Sequence, residues 1–258
     1  RAANDLLRDP VGSVSNLART SASVANLVKP ATTPLSPLMS SRSLRVRFDT
    51  LTVPLDGLKA ASRTIDGGTL NDAFVAAVLD GLDRYHRELG APTNSVRMHM
   101  PISVRADGDH ADDIDNQFAP ARVELPLGAD DLPARLEAVR MRLRAVRAEP
   151  ALPHLNDVSG AIGRLGPDIS VSVVGAMMKG VDVTTSNVPG PPFPVFLAGA
   201  KAEQMFAYGP PAGSAINLTL LSYDGKLEIG ITTDHAAVPD ADVLVAAVEN
   251  AFEQLIAS

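Results

Sequence analysis

Apolar residues recur along this chain in two rhythms, and the rhythm changes about forty residues from the start. The clearest helical stripe is Phe74, Val78, Leu82 and Tyr85, which predicts a helix over Asn71–Leu89. Thr69 stands before it as a cap and Gly90 after it as a stop. A shorter helix is expected at Leu55–Ile65. Leu132, Leu136, Val139 and Leu143 make a third over Leu132–Val146, with arginines along its outer side, and Asp240–Ile256 closes the chain as a fourth. Between them lie short apolar or alternating runs that read as strands. These are the stretch around Val46, Phe48 and Leu51, then Val96–Val104, Arg122–Leu125, Asp182–Ser186, Val195–Leu197, Ala202–Tyr208, Ser214–Leu221 and Lys226–Thr233. Asp224-Gly225 after Tyr223 is a hairpin signal, so the last two strands are expected to pair antiparallel. Strands mixed with helices, and a hairpin late in the chain, predict an α/β fold whose sheet is mixed rather than purely parallel.

The first forty-two residues have a different texture. Leu6, Leu7, Val11, Val14, Leu17, Val24 and Leu27 have helix-like spacing, interrupted by Pro10 and Gly12. Lys29-Pro-Ala-Thr-Thr-Pro-Leu-Ser-Pro-Leu then carries three prolines and cannot continue a helix. Residues 1–42 are therefore expected as a partly helical connecting arm and 43–258 as one domain. The chain opens Arg1-Ala-Ala-Asn-Asp, with no initiator Met and no apolar signal core, which reads as an internal position of a longer protein.

Composition removes several function classes. With no cysteine there is no disulfide framework, thiolate metal site or cysteine nucleophile. A net charge of −7 argues against a nucleic-acid partner, which requires a concentrated basic face. The apolar stretches around Val171–Val183 and Val243–Ile256 are broken by Lys179, Asp182, Glu249 and Glu253 well short of the ~20 residues of a membrane span. Arg135, Arg140, Arg142, Arg144 and Arg147 are expected to form a basic helix face, either a solvated surface or one that rests on anionic lipid.

The segment Thr184-Thr-Ser-Asn-Val-Pro-Gly-Pro-Pro192 is the most informative. A strand delivers hydroxyls and an amide and then meets a stiff turn, which suits polar hydrogens aimed at a carbonyl or a developing oxyanion. The same residues are equally suited to satisfying backbone groups at a strand end. Asn71-Asp72 opens the best helix, where a carboxylate also has a purely structural use. Asp234-His235 and Asp240 place a histidine between two carboxylates, a general-base candidate that capping chemistry explains as well. His86, His99, His110 and His154 lack metal-ligand spacing, and the acidic run Asp107–Asp115 lacks a calcium loop's register. No dinucleotide-binding loop, Walker loop or nucleophile elbow occurs.

Several motifs occur in order. They are Asn71-Asp72, Pro101-Ile-Ser-Val-Arg105, Asn116 ahead of Val123-Glu-Leu-Pro126, and Thr185-Ser-Asn-Val-Pro-Gly-Pro191. Gly209-Pro210, Gly213, Asn217-Leu-Thr, Ser222-Tyr-Asp-Gly225, Asp234 and Val238-Pro-Asp240 follow. The series, over about residues 34–257, resembles the C-terminal half of the bacterial wax ester synthase/acyl-CoA:diacylglycerol acyltransferase family, abundant in mycobacteria.

The resemblance implies a CoA-dependent acyltransferase-like domain, a mixed sheet flanked by helices, the second of two similar domains with a tunnel between them. It implies an O-acyltransferase that uses long-chain acyl-CoA as a substrate, with no permanently bound cofactor and no metal. The acceptor would be diacylglycerol or a fatty alcohol, at a cytoplasmic location peripheral to the inner membrane or lipid droplets. The family's His-His-x-x-x-Asp-Gly motif is absent here, since no two of the histidines are adjacent. The resemblance therefore places the general base on an N-terminal partner half and implies that this chain alone is inactive. It assigns Thr184, Ser186 and Asn187 to oxyanion or substrate support, and Asn71 and Asp72 to the domain interface or tunnel. A non-catalytic acyl- or CoA-binding or scaffold module of the same fold is the alternative. Transfer to a polyketide or trehalose-type alcohol is a third possibility, which the Asn-Val-Pro-Gly-Pro string disfavours.

Overall fold

A computed structural model describes residues 31, 33–43, 45–103, 118–129, 131–149, 164, 166, 168, 178 and 180–258. The expected helix over 4–28, the acidic run 107–115, Arg105, Asn116, His110 and His154 lie outside the described residues.

The elements run β1 (Val46–Pro54), α1 (Leu55–Ser62), α2 (Leu70–Glu88), β2 (Ser95–Ser103), β3 (Phe118–Pro126), α3 (Leu132–Arg147) and β4 (Val183–Pro189). The short β5 (Phe196–Leu197) and β6 (Ala200–Lys201) come next, followed by β7 (Ile216–Tyr223), β8 (Lys226–Asp234) and α4 (Ala241–Ala257). Six strands form one sheet in the order β1-β8-β7-β4-β2-β3, and β5 and β6 form a separate hairpin. β2, β4 and β7 are parallel, while β3, β8 and β1 pair antiparallel outside them. The sheet is mixed, as the sequence predicts. Asp224 and Gly225 both take positive φ, as a two-residue turn between β7 and β8 requires.

The pleat gives the sheet two unlike faces. On one, Leu51, Val53, Met98, Met100, Val123, Val183, Ile216, Leu218, Leu220, Ile229 and Ile231 are buried among the helices. α2 and α4 pack against each other there, with the Phe74 and Phe252 rings 6.2 Å apart. A Cβ on Gly81 would come within 2.7 Å of the Val248 backbone, so glycine sets how closely these helices approach. Thr69 and Asp72 form a capping box at the start of α2, in which the Thr69 hydroxyl accepts from the Asp72 N–H and the Asp72 carboxylate accepts from the Thr69 N–H.

The other face is polar. In register across it lie His99, Thr184, Asn217, Thr232 and Phe48, and beside them Ser186, Thr219, Gly230 and Thr50. The described residues place no helix here. Instead, residues 202–213 cross the face as irregular chain. A Cβ on Gly230 would collide with the Ala207 carbonyl oxygen, and the Asn217 amide donates to the Pro210 carbonyl at 3.2 Å. This corrects the strand expected at Ala202–Tyr208. Its alternating side chains cover the sheet; they do not pair into it.

Part of the expected arm is bound to the domain. The buried Asp182 carboxylate accepts from the N–H groups of Leu35, Ser36 and Arg97 at 3.2, 3.0 and 2.7 Å, and Met39 is fully buried. The basic face of α3 is also smaller than expected. Arg135 pairs with Asp80 of α2 and Arg140 with Glu137, each side chain only 11% exposed, so the outward cations are Arg142, Arg144 and Arg147.

Candidate active site at the splayed ends of β2 and β4

β4 begins in the core and ends in the open, its residues passing from buried at Val183–Thr185 to exposed at Asn187–Pro189. It runs further than the expected Asp182–Ser186 because pairing with β7 continues to Pro189 opposite Ser222. A strand's side chains alternate between faces, so Thr185 and Asn187 share one face and Thr184 and Ser186 the other.

The Thr185–Asn187 face meets α2. A cavity of about 340 Å³ lies there, lined by Asn71, Met100, Pro101, Ile102, Arg147, Thr185 and Asn187. Two expected site residues, Asn71 and Asn187, are thus brought together from positions far apart in the chain. Neither amide side chain makes a hydrogen bond among the described residues, whereas the Thr185 hydroxyl donates to the Met98 sulfur at 3.4 Å. Two amides offer both donors and acceptors to whatever occupies the cavity. Asp72 is not among the lining residues; its carboxylate is engaged in the cap of α2, which positions Asn71.

Thr184 and Ser186 lie on the polar face. The Thr184 hydroxyl is buried and donates to the Ser214 hydroxyl at 3.1 Å. Ser186 is half-buried, and its hydroxyl makes no hydrogen bond among the described residues. His99 lies beside Thr184 in register, with Arg122 across from it on β3. Burial, with a smaller push from the Arg122 guanidinium, lowers the His99 pKa to about 4, so the ring is neutral at physiological pH. Its Nδ1 is buried without a hydrogen-bond partner among the described residues.

The other histidine candidate resolves differently. Asp234 accepts from the Ser43 N–H at 2.6 Å and from the N–H groups of Ala236 and Ala237 at 2.8 and 3.1 Å. Burial alone would raise its pKa, but the Ser43, Ala237 and Ala236 N–H groups and the Ser43 hydroxyl outweigh it and hold the carboxyl below its ordinary range. The carboxylate joins the segment around Ser43 to the loop before α4. His235 is exposed, and Asp240 makes no side-chain cap. No group of three or more His, Cys, Asp or Glu suited to a metal occurs among the described residues.

Residues 114–256 match the family model described as the WS/DGAT C-terminal domain. The chain belongs to the WS/DGAT family. A putative diacylglycerol O-acyltransferase of Mycobacterium tuberculosis H37Rv is 31% identical over 249 residues, which are 96% of this chain and 50% of that protein. A probable diacylglycerol O-acyltransferase of M. tuberculosis CDC 1551 is 28% identical, over 90% of this chain and 51% of its own length. The WS/DGAT chain thus spans about half the length of the curated relatives it matches. Among solved structures, the wax ester synthase/diacylglycerol acyltransferase from Marinobacter aquaeolei VT8 superposes with a TM-score of 0.63 at 18% identity, over 92% of this chain and 54% of that one. A condensation domain that mediates chain release from the enacyloxin polyketide synthase superposes with a TM-score of 0.60 at 16% identity, over 98% and 49%. The fold is therefore the one shared by WS/DGAT enzymes and condensation domains, the CoA-dependent acyltransferase-like fold expected from the sequence.

Thr185, Met100, Ile102 and Arg147 line the cavity without having been singled out as site residues. Thr185 was legible from the two-residue period: once Asn187 is a candidate, its same-face neighbour on the strand is Thr185, not Thr184 or Ser186.

Proposed function

We infer that this WS/DGAT chain is the C-terminal half of an O-acyltransferase that moves a long-chain acyl group from acyl-CoA to diacylglycerol or a fatty alcohol. The general base is a histidine of a His-His-x-x-x-Asp-Gly motif on the N-terminal half. That base takes the proton of the acceptor hydroxyl, the alkoxide oxygen attacks the thioester carbonyl, and a tetrahedral oxyanion forms. On collapse the C–S bond breaks, and CoA leaves as the thiol with the proton the histidine holds. The observation that carries this reading is the convergence of the unengaged Asn71 and Asn187 amides in one cavity at the carboxyl ends of parallel strands, where ligands of open α/β sheets bind. The Asn187 amide, positioned on a rigid strand, is the donor for the thioester carbonyl or its oxyanion. The Ser186 hydroxyl, unbonded among the described residues, supports the same centre from the polar face, and Thr184 acts indirectly by fixing the strand through Ser214.

The other half closes over the polar face. Phe193, just before the β5–β6 hairpin, and Phe196 and Leu197 within it are 62%, 62% and 70% exposed, and Phe48 of β1 forms an exposed aromatic pair with Tyr208 of the crossing segment. An apolar cluster of this kind marks a surface that another body covers. No helix among the described residues is long and apolar enough to cross a membrane, and the outward face of α3, with the exposed Met141 beside Arg142 and Arg144, is the candidate for peripheral contact with lipid.

Mass spectrometry of products from the two-half protein, given acyl-CoA with diacylglycerol or a fatty alcohol, tests the activity. Triacylglycerol or wax ester is expected, with turnover lowered by Asn187→Ala and Ser186→Ala more than acyl-CoA binding is weakened. CoA binding without any ester formed would instead make the protein a non-catalytic binding module.

A further inference from the structure

β1 ends the sheet, and among the described residues no strand pairs with its outer edge. Two backbone bonds bracket it, from the His235 N–H to the Arg45 carbonyl at 3.0 Å and from the Leu55 N–H to the Gly225 carbonyl at 3.3 Å. Both lie in the β1–β8 register. In an antiparallel pair, alternate residues exchange their backbone bonds with the neighbour and the others turn away from it. Arg47, Asp49, Leu51 and Val53 therefore bond to β8, and Val46, Phe48, Thr50 and Thr52 turn N–H and C=O outward. Such an edge is a template for another strand unless charge or proline blunts it. The opposite edge strand, β3, has Pro120 inside it, whereas β1 has no proline before Pro54. Val46 and Phe48 are also 43% and 58% exposed.

The side chains beside this edge determine which strand fits it. The charges of β1 have both signs, Arg47 and Asp49, so a second β1 can answer the first. Two copies related by a two-fold axis run antiparallel and present the same residues to each other. With the axis at Phe48, Phe48 lies opposite its own copy, Val46 opposite Thr50, and Arg47 opposite Asp49 on both sides of the axis. Residues with outward backbone groups then face each other, as the ladder requires. Moving the axis back by one residue sets Arg47 against Arg47, and moving it forward by one sets Asp49 against Asp49. Opposite charges across a strand pair stabilise and like charges destabilise, so charge selects the register centred on Phe48. In the single chain Arg47 pairs with Asp49 and Asp242 at 2.8 and 2.6 Å, and the Asp49 Oδ2 has no hydrogen bond among the described residues.

We propose that the β1 edge is a homodimer interface, where two copies of this chain pair antiparallel about Phe48 and join two six-stranded sheets into one. The edge borders the polar face on which the N-terminal half is inferred to close, and its backbone groups point sideways from that face, so the two associations are compatible.

Sedimentation equilibrium of residues 1–258 and of the two-half protein reads the copy number. Two copies are expected in both cases, twice the 27.0 kDa of the chain for residues 1–258. Asp49→Arg sets arginine against arginine on both sides of the axis and should raise the dimer dissociation constant about tenfold, and adding Arg47→Asp should restore it. Thr50→Pro removes an outward N–H and spares the β8 ladder, so it should weaken the dimer while the urea midpoint of the monomer is retained. The chain has no cysteine, so cross-linking can be placed at will. Val46→Cys and Thr50→Cys in one chain face each other across the seam, at a Cα separation of about 5.5 Å that a disulfide accepts. Mild oxidation should give a covalent dimer from that variant and none from Thr52→Cys, whose two copies lie several residues apart. A two-half protein that remains a single copy overturns the proposal, as does a dimer indifferent to Asp49→Arg or cross-linked as readily through Thr52→Cys. Loss of binding to the N-terminal half in Asp49→Arg would give this edge to that half, and it overturns the homodimer equally.

Discussion

The two faces of the sheet use their residues in opposite ways. The helical face is apolar and closely packed, with Phe74 on Phe252 and Gly81 against Val248. The polar face carries threonines, Asn217, Glu228 and His99, and an irregular strap covers part of it. The helical face holds the fold, so a substitution there costs stability. Among the described residues, the polar face holds groups whose partners are incomplete: the Ser186 hydroxyl without a bond, the His99 Nδ1 and a Glu228 carboxylate oxygen buried and unpaired, and an exposed apolar hairpin. Buried polar groups without partners occur on both sides among the described residues, with Asp49, Tyr85, Arg140 and Thr233 on the helical side, so what sets the polar face apart is its exposed apolar hairpin, the kind of surface another body covers.

The largest expected effect lies on the packed face. Phe252→Ala removes a fully buried ring from the α2–α4 contact and should cost about 3–5 kcal/mol in urea unfolding. A loss near zero would mean that the α2–α4 contact does not hold the fold. Asp182→Ala comes next. It leaves the backbone N–H groups of Leu35, Ser36 and Arg97 without their acceptor, and a loss of about 3 kcal/mol is expected, together with protease sensitivity around residues 33–43. Retained protection there would show that other contacts hold this segment.

A smaller effect belongs to the polar face. His99 is held at a pKa of about 4, below the ordinary histidine value of 6.5, so the unfolded chain binds this proton first on acidification. Its contribution is present above about pH 6.5 and is lost as pH falls through about 4, with a slope of up to about 1.4 kcal/mol per pH unit in between. His99→Gln should flatten that part of the stability–pH curve, and an unaltered curve would assign the acid lability elsewhere. The smallest stability effect is expected at the hairpin. Leu197→Asp should change unfolding by less than about 0.5 kcal/mol, because the side chain is 70% exposed. The same substitution should nevertheless weaken association with the other half, as read by co-purification. Intact association would move the interface away from the hairpin.

Features set by local chemistry were legible in the sequence. Thr69 was readable as a cap because Asp72 follows it at the capping-box interval, and Asp224-Gly225 as a turn because both residues must take positive φ. The rest depends on contacts between residues distant in the chain. Both faces of β4 carry hydroxyls, so only the position of α2 decides that Thr185 and Asn187, and not Thr184 and Ser186, meet Asn71. The alternation of Ala202–Tyr208 is the pattern of a strand, but its partner is the surface of a sheet, where Gly230 leaves room for the Ala207 carbonyl. Arg135 and Arg140 flank the apolar stripe of α3, where spacing alone leaves open which way a long side chain turns. Asp80, which pairs with Arg135, belongs to another helix.

The most direct measurement is ester synthesis by residues 1–258 alone, compared with the same chain co-expressed with the N-terminal half. The sample's protein content is checked by intact mass. The account predicts no triacylglycerol or wax ester from the chain alone and measurable product from the pair. Ester formed by the purified chain, with no second polypeptide present, would contradict it.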